Sequence, residues 1–205
     1  MSSLTLYGTG LSGHVHRVRL LLSLLGLDAD WVEADATLRK SPDFLALNPL
    51  GQVPVLVDNG TVIGDSNAIL IWLVKRYAPD SGWLPQDLTE EVQVHQWLAK
   101  AAGEIRYGVA SARLIRQFNA AENYASAHDV AMKFLPQLAS HLSDRQWLVG
   151  QRATLADVAC YAYVACAPEG GISLQAWPAV RAWLRQVEAL PGFVALPPLP
   201  LPAEG

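Results

Sequence analysis

NPLGQVPVLVDNGTVIGDS, residues 48–66, is the stretch whose reading decides how this chain folds. Two apolar, β-prone runs, PVLV and VIG, flank Asp58-Asn59-Gly60-Thr61, and an Asn-Gly pair between such runs is the strongest short-range cue for a β-hairpin. Upstream, Asn48 and Pro49 close off a short helical turn expected over 43–46, because a proline crowds the residue before it out of the helical region. Downstream, Asp65 and Ser66 each offer a side-chain oxygen to a helix start, and an apolar-periodic helix is expected over 68–77.

Outward from that hairpin the same logic extends to the N-terminus. Residues 4–7 read as a strand running into a loop that carries Gly8, Gly10 and Gly13. Val18, Leu21, Leu22 and Leu25 recur at helical intervals over 15–25, with Gly26 placed to cap the helix end. Residues 30–34 read as a second strand. The resulting order, βαβαββα, is an α+β layout of thioredoxin-like type and defines an expected domain 1–77. The run APDSGWLPQD, residues 78–87, carries two prolines and a glycine and is expected to be a linker. From there to residue 195 the sequence reads as helices and their connections, an all-α helical-bundle domain 88–195, before a proline-rich extended tail at 196–205.

Composition narrows the function. Of the 205 residues, 51% are hydrophobic and 17% charged, enough apolar content for full cores without disulfides or metal. Lys plus Arg number 15 against 19 Asp plus Glu, a net charge of −4 with no cationic block, which argues against a nucleic-acid partner. No apolar run reaches the roughly 18 residues a bilayer span needs, and no secretory pattern opens the chain, so no membrane partner and a cytoplasmic location are expected. Cys160 and Cys166 match neither a redox pair nor zinc spacing and read as buried helical thiols. His14 and His16 lack the spacing that would put both on one helix face, so no metal site is expected.

Four features together resemble the cytosolic glutathione S-transferase family, over the whole chain except its tail. NPLGQVPVL from Asn48 is similar to the segment in which that family keeps a cis-proline, here Pro54. Asp65-Ser66 is similar to its acid-serine pair, though the family more often has Glu than Asp. TLADVACYAYV from Thr154 resembles the capping box and buried helix of its helical domain. Tyr7 followed by Ser12 resembles the bacterial-type, serine-using spacing of the theta and delta classes, with Gly13 where some relatives carry proline.

The resemblance implies a transferase that binds glutathione as co-substrate and holds its thiol as thiolate for attack on a small hydrophobic electrophile, with detoxification as its role and a homodimer as its assembly. Ser12 is the implied catalytic donor; Tyr7 is the rival, because other classes use a first-strand tyrosine. The backbone of Val53, turned outward by a cis Pro54, would pair with the cysteinyl unit of the tripeptide like one added strand rung. Read alone, Pro54 is first a trans proline opening a strand, and it is Asn48 to Gln52 ahead of it that favour the site. Ser66 would bind the γ-glutamyl carboxylate at a helix N-terminus and Asp65 the neighbouring ammonium, roles that coexist with capping. Lys40 and Gln52 are candidates for the glycyl carboxylate, while Arg39 reads first as solvated surface. Two alternatives stay open: glutathione-dependent disulfide or peroxide reduction, and a non-enzymatic glutathione-binding or regulatory protein of the same fold.

Overall fold

Leu4 and Leu6 alternate with Thr5 and Tyr7 along β1 (Leu4–Gly8), the central strand of a four-stranded sheet in the computed structural model, which describes residues 4–202. The alternation buries both leucines. β2 (Asp30–Glu33) runs parallel to β1, whereas β3 (Val55–Asp58) and β4 (Thr61–Ile63) are antiparallel, giving the order β2-β1-β3-β4. The β3–β4 turn holds Asn59 at φ 47° and Gly60 at φ 84°. Both lie in the left-handed region that only such residues tolerate cheaply, which is why the Asn-Gly pair sets this register.

Three helices accompany the sheet: α1 (Gly13–Leu25), α2 (Pro42–Leu47) and α3 (Ser66–Tyr77). Each begins on a side-chain cap, from Ser12, Ser41 and Asp65 in turn. Gly26 ends α1 in the left-handed conformation, its N–H satisfying the carbonyls of Leu22 and Ser23. Val15, Val18, Leu21, Ile69, Leu70 and Leu73 are wholly buried where α1 packs on α3. Burial of each such side chain contributes on the order of 2 kcal/mol. The helices α1 and α3 start earlier than apolar periodicity alone indicates, and those earlier starts put Ser12 and Asp65 at cap positions. A 3₁₀ turn at Leu38–Lys40, unmarked by any apolar period, precedes α2.

The chain divides into two compact units, Met1–Ser81 with Pro191–Pro197, and Gly82–Leu190 with Pro198–Gly205. In the first unit, α1 holds the returning segment: His16 Nε2 donates to the Val194 carbonyl and Ser23 Oγ to that of Gly192, each at 2.7 Å. The carbonyl can only accept, so His16 carries its proton on Nε2.

The second unit comprises α4 (Leu88–Ala102), α5 (Ser111–Phe118), α6 (Tyr124–His141), α7 (Leu155–Ala165) and α8 (Pro178–Glu188), with a π-helical turn at Arg106–Ala110 and a 3₁₀ turn at Ala167–Gly170. Every residue of α7 from Leu155 to Val164 is buried, so it forms the axis of this unit. Its capping box is complete: Thr154 Oγ1 accepts from Ala156 at 3.3 Å, and Asp157 Oδ2 accepts the Thr154 N–H at 2.9 Å. Asp157 Oδ1 also accepts from the Leu148 N–H at 3.0 Å. Elsewhere in the unit, Glu169 pairs with the buried Arg113 and accepts the Leu199 N–H at 3.0 Å, while Gln117 Nε2 donates to the Pro200 carbonyl at 2.9 Å. Those bonds fix the extended segment after Pro198 without regular structure.

Candidate functional site

The handover from β1 to α1 is close. A Cβ on Gly8 would sit 2.4 Å from Val15 Cγ1, so no larger residue fits there unless the helix moves away. The loop then folds back on itself through a Ser12 N–H to Thr9 carbonyl bond of 3.2 Å. Ser12 is thereby fixed at the N-cap of α1, half-buried, its Oγ accepting the Val15 N–H at 3.3 Å. A hydroxyl also owns a proton, and with a lone pair committed to Val15 that proton can be given to an acceptor lying beyond the helix end. The helix dipole at this point favours a negative charge.

The Val53–Pro54 bond is cis. Ahead of it, Asn48 is 7% exposed and braces the loop: its Nδ2 donates to the Gln52 carbonyl at 2.9 Å and its Oδ1 accepts the Leu50 N–H at 3.2 Å. Among the described residues, the backbone N–H and C=O of Val53 take part in no hydrogen bond. An unpaired backbone edge of this kind suits an extended peptide added alongside it.

Asp65 is exposed, and its Oδ1 caps α3 by accepting the Ala68 N–H at 2.8 Å. Ser66, the first residue of α3, is 6% exposed and accepts a 3.2 Å hydrogen bond from Arg17 Nη1. Arg17, 1% exposed on α1, also donates to Asn67 Oδ1 at 2.8 Å. Apolar periodicity passes over Arg17, because it sits within a run of leucines and valines. The available signal is an arginine between Val15 and Val18 on a helix whose partners face a core.

Lys40 is exposed at the end of the 3₁₀ turn. Arg39 is half-buried, its Nε donating to the Asp35 carbonyl at 3.3 Å. Both line a cavity of about 330 Å³ with Leu45, Pro49, Leu50 and Gly51, immediately before the exposed Gln52. Tyr7 packs edge-on against Phe44 at 6.0 Å in the cluster of Ala34, Phe44 and Val55.

The topology explains why these residues meet. Tyr7 lies opposite Val55, so the antiparallel register sets the exit of β1 beside the entry of β3, with Ser12 on the one connection and Val53–Pro54 on the other. The Arg17–Ser66 bond ties the start of α3 to the second turn of α1. Ser12, Val53, Pro54 and Ser66 therefore share one end of the sheet, while Lys40 lines the cavity with Leu50 and Gly51.

The protein's own thiols have other surroundings. Cys160 is wholly buried in α7, and Cys166 at its end is pushed up to about 12, chiefly by burial and then by Glu169. A thiol so placed stays protonated and unreactive near neutrality. Among the described residues no group of three or more His, Cys, Asp or Glu is gathered as a metal ion needs, and no helix is long and apolar enough to cross a membrane.

A thioredoxin-like unit with a cis-proline, followed by a helical unit built on a capped buried helix, is an architecture with known counterparts. Residues 11–76 match the family described as glutathione S-transferase, N-terminal domain, and residues 103–191 match its C-terminal domain. Glutathione S-transferase 3 of Zea mays is 34% identical, the alignment covering 98% of each chain. A solved glutathione S-transferase from Xanthobacter autotrophicus is 36% identical with a TM-score of 0.86, over 95% of this chain and 97% of that one. A glutathione transferase homologue from Drosophila mojavensis, solved with bound glutathione, is 25% identical with a TM-score of 0.83, over 93% of this chain and 90% of that one. The chain belongs to the glutathione S-transferase family.

Proposed function

We propose that this protein is a cytoplasmic glutathione transferase that binds the tripeptide on the end of its sheet and presents the thiolate to a small hydrophobic electrophile. The observation that carries the reading is the convergence of three backbone connections on one site, each offering a different group. Ser12 supplies a hydroxyl proton at the positive end of α1, Val53 beside cis Pro54 an open backbone rung, and Ser66 a buried hydroxyl at the start of α3.

Ser12 is the proposed catalytic donor. A free thiol with a pKa of about 8.5 is only a few per cent thiolate at neutrality, and lowering that pKa by about two units takes about 2.7 kcal/mol. A hydroxyl donor and a helix N-terminus together supply energies of that order. Val53 and Pro54 would hold the cysteinyl unit, Ser66 the γ-glutamyl carboxylate, and Asp65 the ammonium, while Lys40 and Gln52 would face the glycyl carboxylate. The glutathione-binding domain is taken as 1–77 and the helical domain as 88–195, joined through 78–87 and followed by the tail 196–205. The proposed assembly is a homodimer and the proposed role detoxification, with no metal in the chemistry.

The discriminating experiment supplies glutathione with a nitroaromatic chloride and, separately, with a small disulfide. Conjugation exceeding disulfide reduction is expected. Reduction exceeding conjugation would make the protein a glutathione-dependent reductase, and binding without either reaction would make it a carrier.

A further inference from the structure

We propose that the helical unit carries a ligand site of its own, a cavity beside α4 that takes a small organic phosphate on Lys100 and Arg145. The site lies wholly within the second unit and does not depend on the glutathione reading above.

One face of α4 builds it. Gln93, Gln96, Trp97 and Lys100 follow one another at intervals of three, one and three residues, which sets all four on the same side of the helix. His141, the last residue of α6, and Arg145 just after it line the same cavity, whose volume of about 320 Å³ suits a small molecule. The walls are held by the protein's own contacts. Cys160 Sγ donates to the Trp97 carbonyl at 3.7 Å, the Trp97 ring stands 4.9 Å from that of His141, and His141 Nε2 donates to the Leu148 carbonyl at 2.9 Å. Trp97 is 8% exposed, and its indole N–H meets no acceptor among the described residues yet is not sealed off, so it can donate to a guest.

Charge gives the guest its sign. The chain carries −4 overall, but the titratable side chains lining this cavity are Lys100, Arg145 and His141, with no carboxylate. Lys100 is half-buried, 6.0 Å over the Trp97 ring, and forms no ion pair among the described residues. Arg145 commits Nη1 to the His141 carbonyl at 3.2 Å and to the exposed Asp144 at 3.3 Å, which leaves Nε and Nη2 for two oxygens of one anion. Of the acids at the start of α4, Glu90 reaches Gly150 from a neighbouring cavity, and Glu91 is turned toward His95 at 4.0 Å. A guanidinium and an ammonium together match the two charges of a phosphate ester. The amides of Gln93 and Gln96, each able to give and to accept, match hydroxyls on the remainder of the molecule, and orthophosphate alone would leave most of the space to water.

Calorimetry on the full chain, with glucose 6-phosphate, glucose and orthophosphate as probes, tests this. Glucose 6-phosphate should bind with a dissociation constant below about 1 mM and at least about tenfold more tightly than orthophosphate, while glucose gives no binding heat. Lys100→Gln and Arg145→Gln should each weaken the ester at least about tenfold and leave glutathione binding as in the wild type. Saturating glutathione should not change the affinity for the ester. No binding to the wild type, unaltered binding in both variants, or displacement by glutathione would overturn the proposal. Orthophosphate bound as tightly as the ester, an adventitious ion only, would overturn it as well. Should Lys100→Gln not fold, Arg145→Gln decides alone, because Arg145 is half exposed. Failure to bind glutathione would count against the first unit's site and not against this one.

Discussion

Trp183 donates its indole N–H to Asp157 Oδ1 at 2.8 Å, joining α8 to the first turn of α7 inside the helical unit. The carboxylate also receives the N–H groups of Thr154 and Leu148, so it gathers a cap, a loop and a distant helix onto one side chain. Burial pushes the Asp157 carboxyl above its ordinary pKa, and the donors from Thr154, Leu148 and Trp183 pull it back. Replacing it leaves those donors buried and unmet.

Asp157→Ala should destabilise the protein by about 2–4 kcal/mol, more than a cap alone, because a buried indole N–H and a loop N–H lose their acceptor as well. Asp157→Asn should also destabilise it, since one end of the amide can only donate where two donors already point. Urea unfolding followed by tryptophan fluorescence measures both; a midpoint unchanged in either variant would show that the network is not what holds α7.

Ser12→Ala should lower conjugation turnover by roughly ten- to a thousandfold while glutathione affinity stays near the wild-type value, because in the proposed role the hydroxyl acts on the thiolate and not on the peptide frame. The same change should cost about 1 kcal/mol of stability through the lost Val15 contact. Tyr7→Phe should be nearly silent in turnover, as the ring packs on Phe44. Steady-state kinetics with both variants side by side would expose the opposite pattern if Tyr7 were the donor.

In the proposed site Lys40 and Gln52 would face the glycyl carboxylate, and Lys40 lines a cavity together with Leu50 and Gly51. Lys40→Ala should weaken glutathione binding several-fold and leave the dipeptide γ-Glu-Cys, which lacks the glycine, bound as before. A parallel loss for both peptides would move Lys40 out of the site.

His16 makes stability depend on pH in a defined window. Burial first, and then the charges of Arg19 and Arg17, lower its pKa from 6.5 to about 4, against the raising effect of its bond to Val194. The folded chain then binds fewer protons at His16 than the unfolded chain does between those values. Stability from this group is full above pH 6.5 and is lost as pH falls toward 4, by up to about 3 kcal/mol. In His16→Gln, where an amide can still donate to the Val194 carbonyl, the unfolding free energy should vary less across that window. An unaltered slope would assign the acid sensitivity to other groups.

Much of the first unit, and the start of α7 in the second, is legible in the order of residues, because the deciding contacts there are local. Asn59-Gly60 dictates its turn, Ser12 and Asp65 their caps, and Thr154 with Asp157 the start of α7. The features that escape sequence reading depend on residues far apart. Nothing near position 17 announces a partner at Ser66, nothing around Val194 says that it returns to His16, and the π-helical turn at Arg106–Ala110 has no local code. Of the candidate site, the loop positions were marked by turn and cap chemistry, whereas the layer behind them comes only from packing α1 against α3.

One titration bears on the sulfur chemistry more directly than any variant. The ultraviolet absorbance of the thiolate, followed against pH with glutathione bound to the wild-type protein, should give a midpoint about two units below the value of about 8.5 for a free thiol. A bound peptide whose thiol still titrates at its free value would contradict the account, leaving a protein that holds glutathione without activating it.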